Sequence, residues 1–176
     1  MSDDIARRRF QEHALPHLDD AYSLARWITG DAADAEDVTQ EACLRALKAF
    51  ATISPERPRA FLLTVTRNAA YSWLAKNRPR ALVLAGAAEE AEAQAGADVA
   101  TAPSQEEAMI AASDRASVTE AIANLPLAFR EALVLREING LSYRDIAEAT
   151  GAPLGTVMSR LARARALLAE RLGALR

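Results

Sequence analysis

The chain has 176 residues, 51% of them apolar, a net charge of -3 and a single cysteine, Cys43. That length allows one or two domains, and one cysteine excludes an internal disulfide and a cysteine-based zinc site. No apolar run reaches the roughly 18–20 residues of a membrane span, and the start MSDDIARRRF lacks the apolar stretch of a signal peptide, so no membrane insertion and a cytosolic location are expected.

Ala, Leu, Glu and Arg are abundant and aromatics make up 5% of the chain, a composition that favours helix. No segment alternates like a half-buried strand, so the expected class is all-α. Residues 5–29 predict a first helix with Leu15, Leu18, Tyr22, Ala25 and Trp27 or Ile28 on its buried side, ended by Gly30. Asp31 or Asp34 caps the next, which runs to about Phe50. Pro55 and Pro58 exclude regular helix from Thr52 to Pro58. A third helix is expected over 59–76, with Phe61, Leu62, Val65, Ala69 and Trp73 at three- and four-residue steps. Residues 81–105 carry almost no large apolar side chains after Leu84 and predict a flexible linker. Helices over 106–124, 127–138, 142–150 and 154–172 follow. The expected layout is thus a domain over 1–80, a linker over 81–105 and a domain over 106–176.

Charge is distributed unevenly. From Glu12 to Glu41 there are eight acids and one base, Arg26; from Arg57 to Arg80 there are six bases and no acid. A mildly acidic protein binds DNA when its positive charge is gathered on one face. Either run alone is equally consistent with a solvated helix face.

The segment from Leu141 to Leu161 has the grammar of a helix-turn-helix. Ser142 caps its first helix, with Asp145 three residues on in a capping-box pair. Gly151, four residues after the small Ala147, sits where the turn needs a left-handed backbone. Ile146, Val157 and Leu161 form the apolar seal. The second helix then presents Thr156, Ser159, Arg160 and Arg163 outward, as a helix in the major groove requires. An Ala-x-x-x-Gly spacing alone fits any helical hairpin with a glycine turn. The last helix, however, carries Arg160, Arg163, Arg165, Arg171 and Arg176 against one acid, Glu170, which favours DNA.

At this point a family resemblance emerges. Leu125-Pro126, Arg130 to Glu137, Gly140 to Tyr143 and Gly155 to Arg165 together resemble region 4 of the extracytoplasmic-function (ECF) sigma factors of bacterial RNA polymerase. Asp34 to Glu41 is similar to the acidic helix start of region 2, and Arg59 to Asn68 resembles the helix that reads the promoter's minus-ten element. The resemblance implies two helical domains, regions 2 and 4, and three kinds of partner: core RNA polymerase, promoter DNA and an anti-sigma factor.

It also implies residue roles. Asp34, Asp37, Gln40 and Glu41 face the coiled coil of the largest catalytic polymerase subunit, with Leu44 and Leu47 assigned to the core. Arg57, Arg67, Asn68, Lys76 and Arg78 bind the minus-ten element, and the loop Thr52–Arg57 captures a flipped base. Trp73 is able to stack on DNA, but the core is its preferred place. Thr156, Met158, Ser159, Arg160, Arg163 and Arg165 bind the minus-thirty-five element. The chain departs from the family pattern at several positions: Ser72 stands where an acid is common, Ala75 where a base is common, Met158 where Lys or Arg is common, and Pro55 and Pro58 stand in a loop where Gly and Ser are common.

No catalytic constellation, phosphate loop or cofactor motif is present, so no enzyme activity and no cofactor are expected. His13 and His17 lack a third metal ligand, and Pro16 disturbs their spacing. A stand-alone helix-turn-helix regulator and a sigma mimic that sequesters an anti-sigma factor are the alternatives. The acidic match at Asp34–Glu41 argues against the first; Asn68 and the arginine-rich last helix argue against the second.

Overall fold

The structure is a computed structural model and describes residues 2–83 and 112–173; every regular element among them is helical. The N-terminal half comprises α1 (Ser2–His13), a 3-10 turn (Leu15–His17), α2 (Leu18–Thr29), α3 (Ala32–Phe50) and α4 (Pro58–Asn77). The C-terminal half comprises α5 (Ala112–Ala123), α6 (Leu127–Leu133) with a π-helical extension (Val134–Ile138), α7 (Tyr143–Thr150) and α8 (Leu154–Gly173). Beyond residue 83, the expected linker lies outside the described residues, as does the expected helix over 106–124 before Ala112.

The helix ends follow local chemistry. Gly30 closes α2 with φ of 81°, a conformation that costs glycine least. Asp31 then caps α3, accepting from the amides of Ala33 at 2.9 Å and Asp34 at 3.2 Å. Pro58 opens α4 at a position where its missing N–H is harmless. The capping box at Ser142 forms as the sequence predicts, with Ser142 Oγ accepting from the Asp145 amide at 3.1 Å. Gly151 ends α7 with φ of 68°.

Two expectations about the first helix are corrected. It breaks into α1 and α2 at the 3-10 turn that contains Pro16, because proline cannot continue an α-helix. That break turns Leu15 and Leu18 outward, to 39% and 36% exposure. Leu44, expected in the core, is 51% exposed; the inward face of α3 is instead Val38, Ala42, Ala46 and Phe50.

Helices α2, α3 and α4 pack on one another around Leu24, Ile28, Val38, Leu63 and Leu74. Below them, Phe10 meets Phe50 edge to face, with ring centroids 5.6 Å apart, which brings α1 onto the bundle; such a pair adds about 0.5–1.5 kcal/mol beyond area burial. In the C-terminal half, Leu125, Phe129, Leu133 and Ala164 hold α6 against α8.

The two halves also pack against each other. Helix α4 contacts α7 and α2 contacts α6, and one apolar cluster runs from Leu63 and Leu74 through Leu127 and Leu135 to Ile146 and Leu161. Sequence periodicity predicts two domains on a tether; the structure brings them into one body.

Candidate functional site

Helix α4 carries a stripe at helical spacing: Arg57 at its N-cap, then Ala60, Thr64, Arg67 and Tyr71. Side chains three and four apart share a helix face, so the basic groups of this stripe point the same way. In this structure that way is toward the C-terminal half.

Arg57 pairs with Asp145 and, at 2.7 Å, with Glu148, both on α7. Arg59 donates to Asp20 Oδ2 at 2.7 Å and to the carbonyl of Asn139 at the end of the π-helical turn. Arg67 Nε donates to Glu131 Oε1 at 2.6 Å. Tyr71 donates its hydroxyl to the other carboxylate oxygen of Glu131 at 3.1 Å, and the Arg67 guanidinium lies 4.2 Å from the Tyr71 ring centroid. Glu131 is 2% exposed. Charge-assisted bonds of this kind are the strong ones, and they satisfy an acid that burial alone would penalise.

The titration of these groups follows from the same contacts. Burial pushes the Tyr71 hydroxyl far above its ordinary range, and the Glu131 carboxylate beside it adds to the shift. For Arg67, burial works against the charge, but the charge of Glu131 and its hydrogen bond prevail and the net shift is upward. Both groups therefore keep their ordinary protonation at neutral pH.

Two cavities flank the contact. One, of about 430 Å³, lies between Arg67, Tyr71 and Glu131 on one side and Gly151, Thr156 and Arg160 on the other. The second, of about 380 Å³, is formed by Ile53 to Arg57 with Phe61 and Thr64, and Asp145 and Glu148 complete its wall. The loop assigned to base capture thus faces α7.

The remaining N-terminal site residues lie on another face. Asp37, Gln40 and Glu41 are exposed on α3, and Leu44 extends the same face at the i+7 position. Glu41 pairs with Arg45 at 2.7 Å. Asp37, Glu41, Trp73 and Lys76 border a shallow groove of about 340 Å³ between α3 and α4. Asp34 stands apart from its neighbours, bound by Arg78 at 3.1 Å. Arg78 also lies 5.3 Å from the Trp73 ring centroid. Asn68 is exposed, and its side-chain oxygen accepts from Arg67 at 3.3 Å.

On the helix-turn-helix, Ile146, Val157 and Leu161 are buried as the sequence predicts. Met158 and Ser159 are exposed, while Thr156, Arg160 and Arg163 are half-buried; the expectation that all of these but Met158 face outward is corrected for Thr156 and Arg160, which line the cavity beside α4. Arg165 reaches Glu137 at 2.6 Å, and that hydrogen bond is the main cause that holds its guanidinium above the usual arginine range. Among the described residues no group of three or more His, Cys, Asp or Glu side chains is placed to hold a metal ion, and no helix is long and apolar enough to cross a membrane.

Sequence reasoning missed Glu131, Asp145 and Glu148 as partners of the basic stripe. They lie 60 to 91 residues from the groups they bind, and no local pattern links positions so far apart.

Comparison with known proteins fits this geometry. Residues 14–80 match the family model of sigma-70 region 2, and residues 115–168 match that of sigma-70 region 4. The RNA polymerase sigma-H factor of Pseudomonas aeruginosa is 36% identical over 161 residues, which cover 90% of this chain and 83% of the relative. The ECF RNA polymerase sigma factor SigE of Mycolicibacterium smegmatis is 32% identical over 168 residues, 96% of this chain but 63% of that longer protein. Among solved structures, the sigma factor RpoE in complex with the anti-sigma factor NepR from Bartonella quintana aligns with a TM-score of 0.69 and 27% identity, over 95% of this chain and 98% of that one. CnrH, solved with the cytosolic domain of CnrY, has the same fold, with a TM-score of 0.64 and 24% identity over 99% of both chains. With an acidic face on α3, a basic stripe on α4 and a capped helix-turn-helix behind them, and with 31% identity to the ECF RNA polymerase sigma-E factor of Haemophilus influenzae over 85% of this chain and 79% of the relative, the chain belongs to the ECF group of RNA polymerase sigma factors.

Proposed function

We propose that this protein directs core RNA polymerase to promoters by binding the enzyme and two DNA elements at once, and that it promotes strand opening at the start site. The observation that carries the reading is the presence, in one chain, of a basic helix stripe and a capped helix-turn-helix with an arginine-rich second helix. Polymerase performs the chemistry; this chain supplies address and melting.

The domain over 1–80 engages polymerase through Asp34, Asp37, Gln40 and Glu41. Complementary charge there raises the association rate and sets register. Arg57, Arg67, Lys76 and Arg78 hold the backbone of the opened minus-ten strand, and Asn68, with both donor and acceptor groups, reads a base. The domain over 106–176 places α8 in the major groove of the minus-thirty-five element. There Ser159 and Arg163 face base edges, Thr156 adds a further DNA contact, Arg160 and Arg165 hold the backbone or brace the fold, and Met158 packs on a thymine methyl or sugar. Each domain alone binds weakly. The linker over 81–105 makes the second contact intramolecular and raises its effective concentration. An anti-sigma factor holds the protein inactive until a signal arrives, and the protein acts in the cytoplasm.

Run-off transcription with purified core polymerase and a genomic promoter library tests this reading. Initiation above that of core alone is the expected result. Operator binding without polymerase-dependent initiation would instead identify a stand-alone regulator, and binding of an anti-sigma factor without initiation would identify a decoy.

A further inference from the structure

Helix α1 carries none of the residues assigned to polymerase or promoter, yet it reaches the loop Thr52–Arg57. Arg9 Nη2 donates to the Ile53 carbonyl at 3.4 Å. Its guanidinium carbon lies 5.9 Å from the Phe50 ring centroid, within range of a cation–π contact. Phe50, 1% exposed, also meets Phe10 of α1 at 5.6 Å and Phe61 of α4 at 6.0 Å between ring centroids. Phe61 in turn lines the cavity formed by Ile53 to Arg57. A row of rings thus runs from α1 to the cavity wall, and Arg9 joins that row to the backbone of the loop. The loop has few other ties. The amides of Thr52 and Ile53 donate to the Ala49 carbonyl at 3.0 and 2.8 Å, which fixes only its first step out of α3. Ser54, Pro55 and Glu56 make no hydrogen bond among the described residues. Within the described N-terminal half, Arg9 supplies the one hydrogen bond that reaches this loop from a helix not adjoining it in sequence.

We propose that Arg9 is a positioning residue for strand opening: from α1 it holds the loop Thr52–Arg57 in place over its cavity, one face of its guanidinium on Phe50 and one edge on the Ile53 carbonyl. The proposal rests on the reading that this loop captures a flipped base. Arginine suits the place because its planar group packs on a ring and donates sideways at once, which a lysine ammonium does poorly. The role is indirect, since Arg9 acts on the base through the loop. A flipped base has to leave its stack, and the cavity contacts offset that cost. A loop already in position gives the whole of the offset, whereas one that is ordered only on arrival loses part of it. A loop in place one-fifth of the time holds the base about fivefold more weakly, because apparent affinity scales with the competent fraction. Helix α1 therefore belongs to the promoter-opening apparatus although it carries no base-reading group.

The test uses the full chain, free and assembled with core polymerase, as wild type, Arg9→Ala, Arg9→Lys and Arg8→Ala. Arg8 is exposed and pairs with Glu12, so its loss removes the same charge from the same helix without touching the loop. In the free chain, backbone order parameters at Ser54 and Glu56 are expected to fall in Arg9→Ala and to keep their wild-type values in Arg8→Ala. All variants should melt within about 2 °C of wild type. The polymerase complex is then titrated with a labelled promoter from the run-off library whose non-template strand carries an abasic site at each minus-ten position in turn. The position at which wild type loses most affinity marks the captured base. There Arg9→Ala is expected to lower the ratio of intact to abasic affinity about three- to tenfold, Arg9→Lys to recover part of it, and Arg8→Ala to match wild type, with the salt slope the same throughout. Unchanged order parameters in Arg9→Ala, or an unchanged affinity ratio, overturns the proposal. So does a salt slope reduced by about 0.7 in Arg9→Ala, the mark of a direct phosphate contact. A loosened loop in Arg9→Ala, together with a wild-type complex indifferent to base removal at every position, upholds the tie and refutes the base-capture reading instead.

Discussion

Arg78, just past the end of α4, donates to Asp34 on α3 at 3.1 Å, and its other terminal nitrogen donates to the carbonyl of Thr29 at the same distance. One guanidinium thereby ties together the ends of three helices, and it holds Asp34 in the first turn of α3. Two acceptors in different directions suit the planar fork of arginine and not a lysine ammonium. Arg78→Ala is expected to lower Tm by about 2–4 °C, and Arg78→Lys should recover little of the loss. Calorimetry of both variants checks this, and full recovery by lysine would show that charge alone suffices.

Asp31 caps α3 with two backbone bonds, and its carboxyl is held below the usual range, chiefly by the Asp34 amide. A depressed folded value means that the stabilisation is present above the unfolded value and is lost as pH falls through the folded one. Asp31→Ala should therefore lower Tm by about 2–4 °C at neutral pH, with the difference shrinking once pH drops below the ordinary carboxylate range. Thermal melts of both proteins from pH 7 to pH 3 would expose a difference that stays constant, and that result would remove the cap from the account.

Gly151 has φ of 68°, and a Cβ built there meets nothing within 4 Å. The cost of Gly151→Ala is then the left-handed backbone alone, about 1–2 kcal/mol, and Gly151→Asn should cost less because asparagine tolerates that conformation. Denaturant unfolding of the pair gives the order directly. Equal losses for the two would point to a steric cause.

Leu44 shares its exposed face with Asp37, Gln40 and Glu41. If that face docks polymerase, Leu44→Ala should leave stability within about 0.5 kcal/mol and weaken binding to core polymerase by about 1 kcal/mol or more. A core leucine would behave in the opposite way, with about 2–5 kcal/mol lost from folding. Chemical denaturation combined with a polymerase binding titration separates the two.

Lys76 and Asn68 should fail differently on promoter DNA. Lys76→Ala is expected to weaken binding of the polymerase complex to every sequence alike and to reduce the salt slope by about 0.7 for a single-stranded contact. Asn68→Ala should leave that slope unchanged and relax preference at one base. Binding isotherms at several salt concentrations, on a promoter and its single-base variants, distinguish a backbone contact from a base contact.

The helices, their caps and the helix-turn-helix were legible in the sequence because they depend on neighbours a few residues apart. Gly30, Asp31, Ser142 with Asp145, and Gly151 each act within one helical turn. The buried seal of Ile146, Val157 and Leu161 follows from the same periodicity. Leu15, Leu18 and Leu44 were misplaced because periodicity shows that a helix has an apolar side without showing which neighbour covers it. A proline break had rotated the first two outward, and the third lay on a face left uncovered.

By itself, then, the amino-acid sequence determined the helical class, the capped helix ends at Gly30, Asp31, Ser142 and Gly151, and the residue types a promoter-binding protein needs, since propensity and capping are local energies. Only the tertiary structure decided that the basic stripe of α4 meets Glu131, Asp145 and Glu148. Those contacts join groups 64 to 91 residues apart that complement one another only after both halves have folded and met. Their physical basis is the pairing of separately positioned charges, which no local pattern encodes.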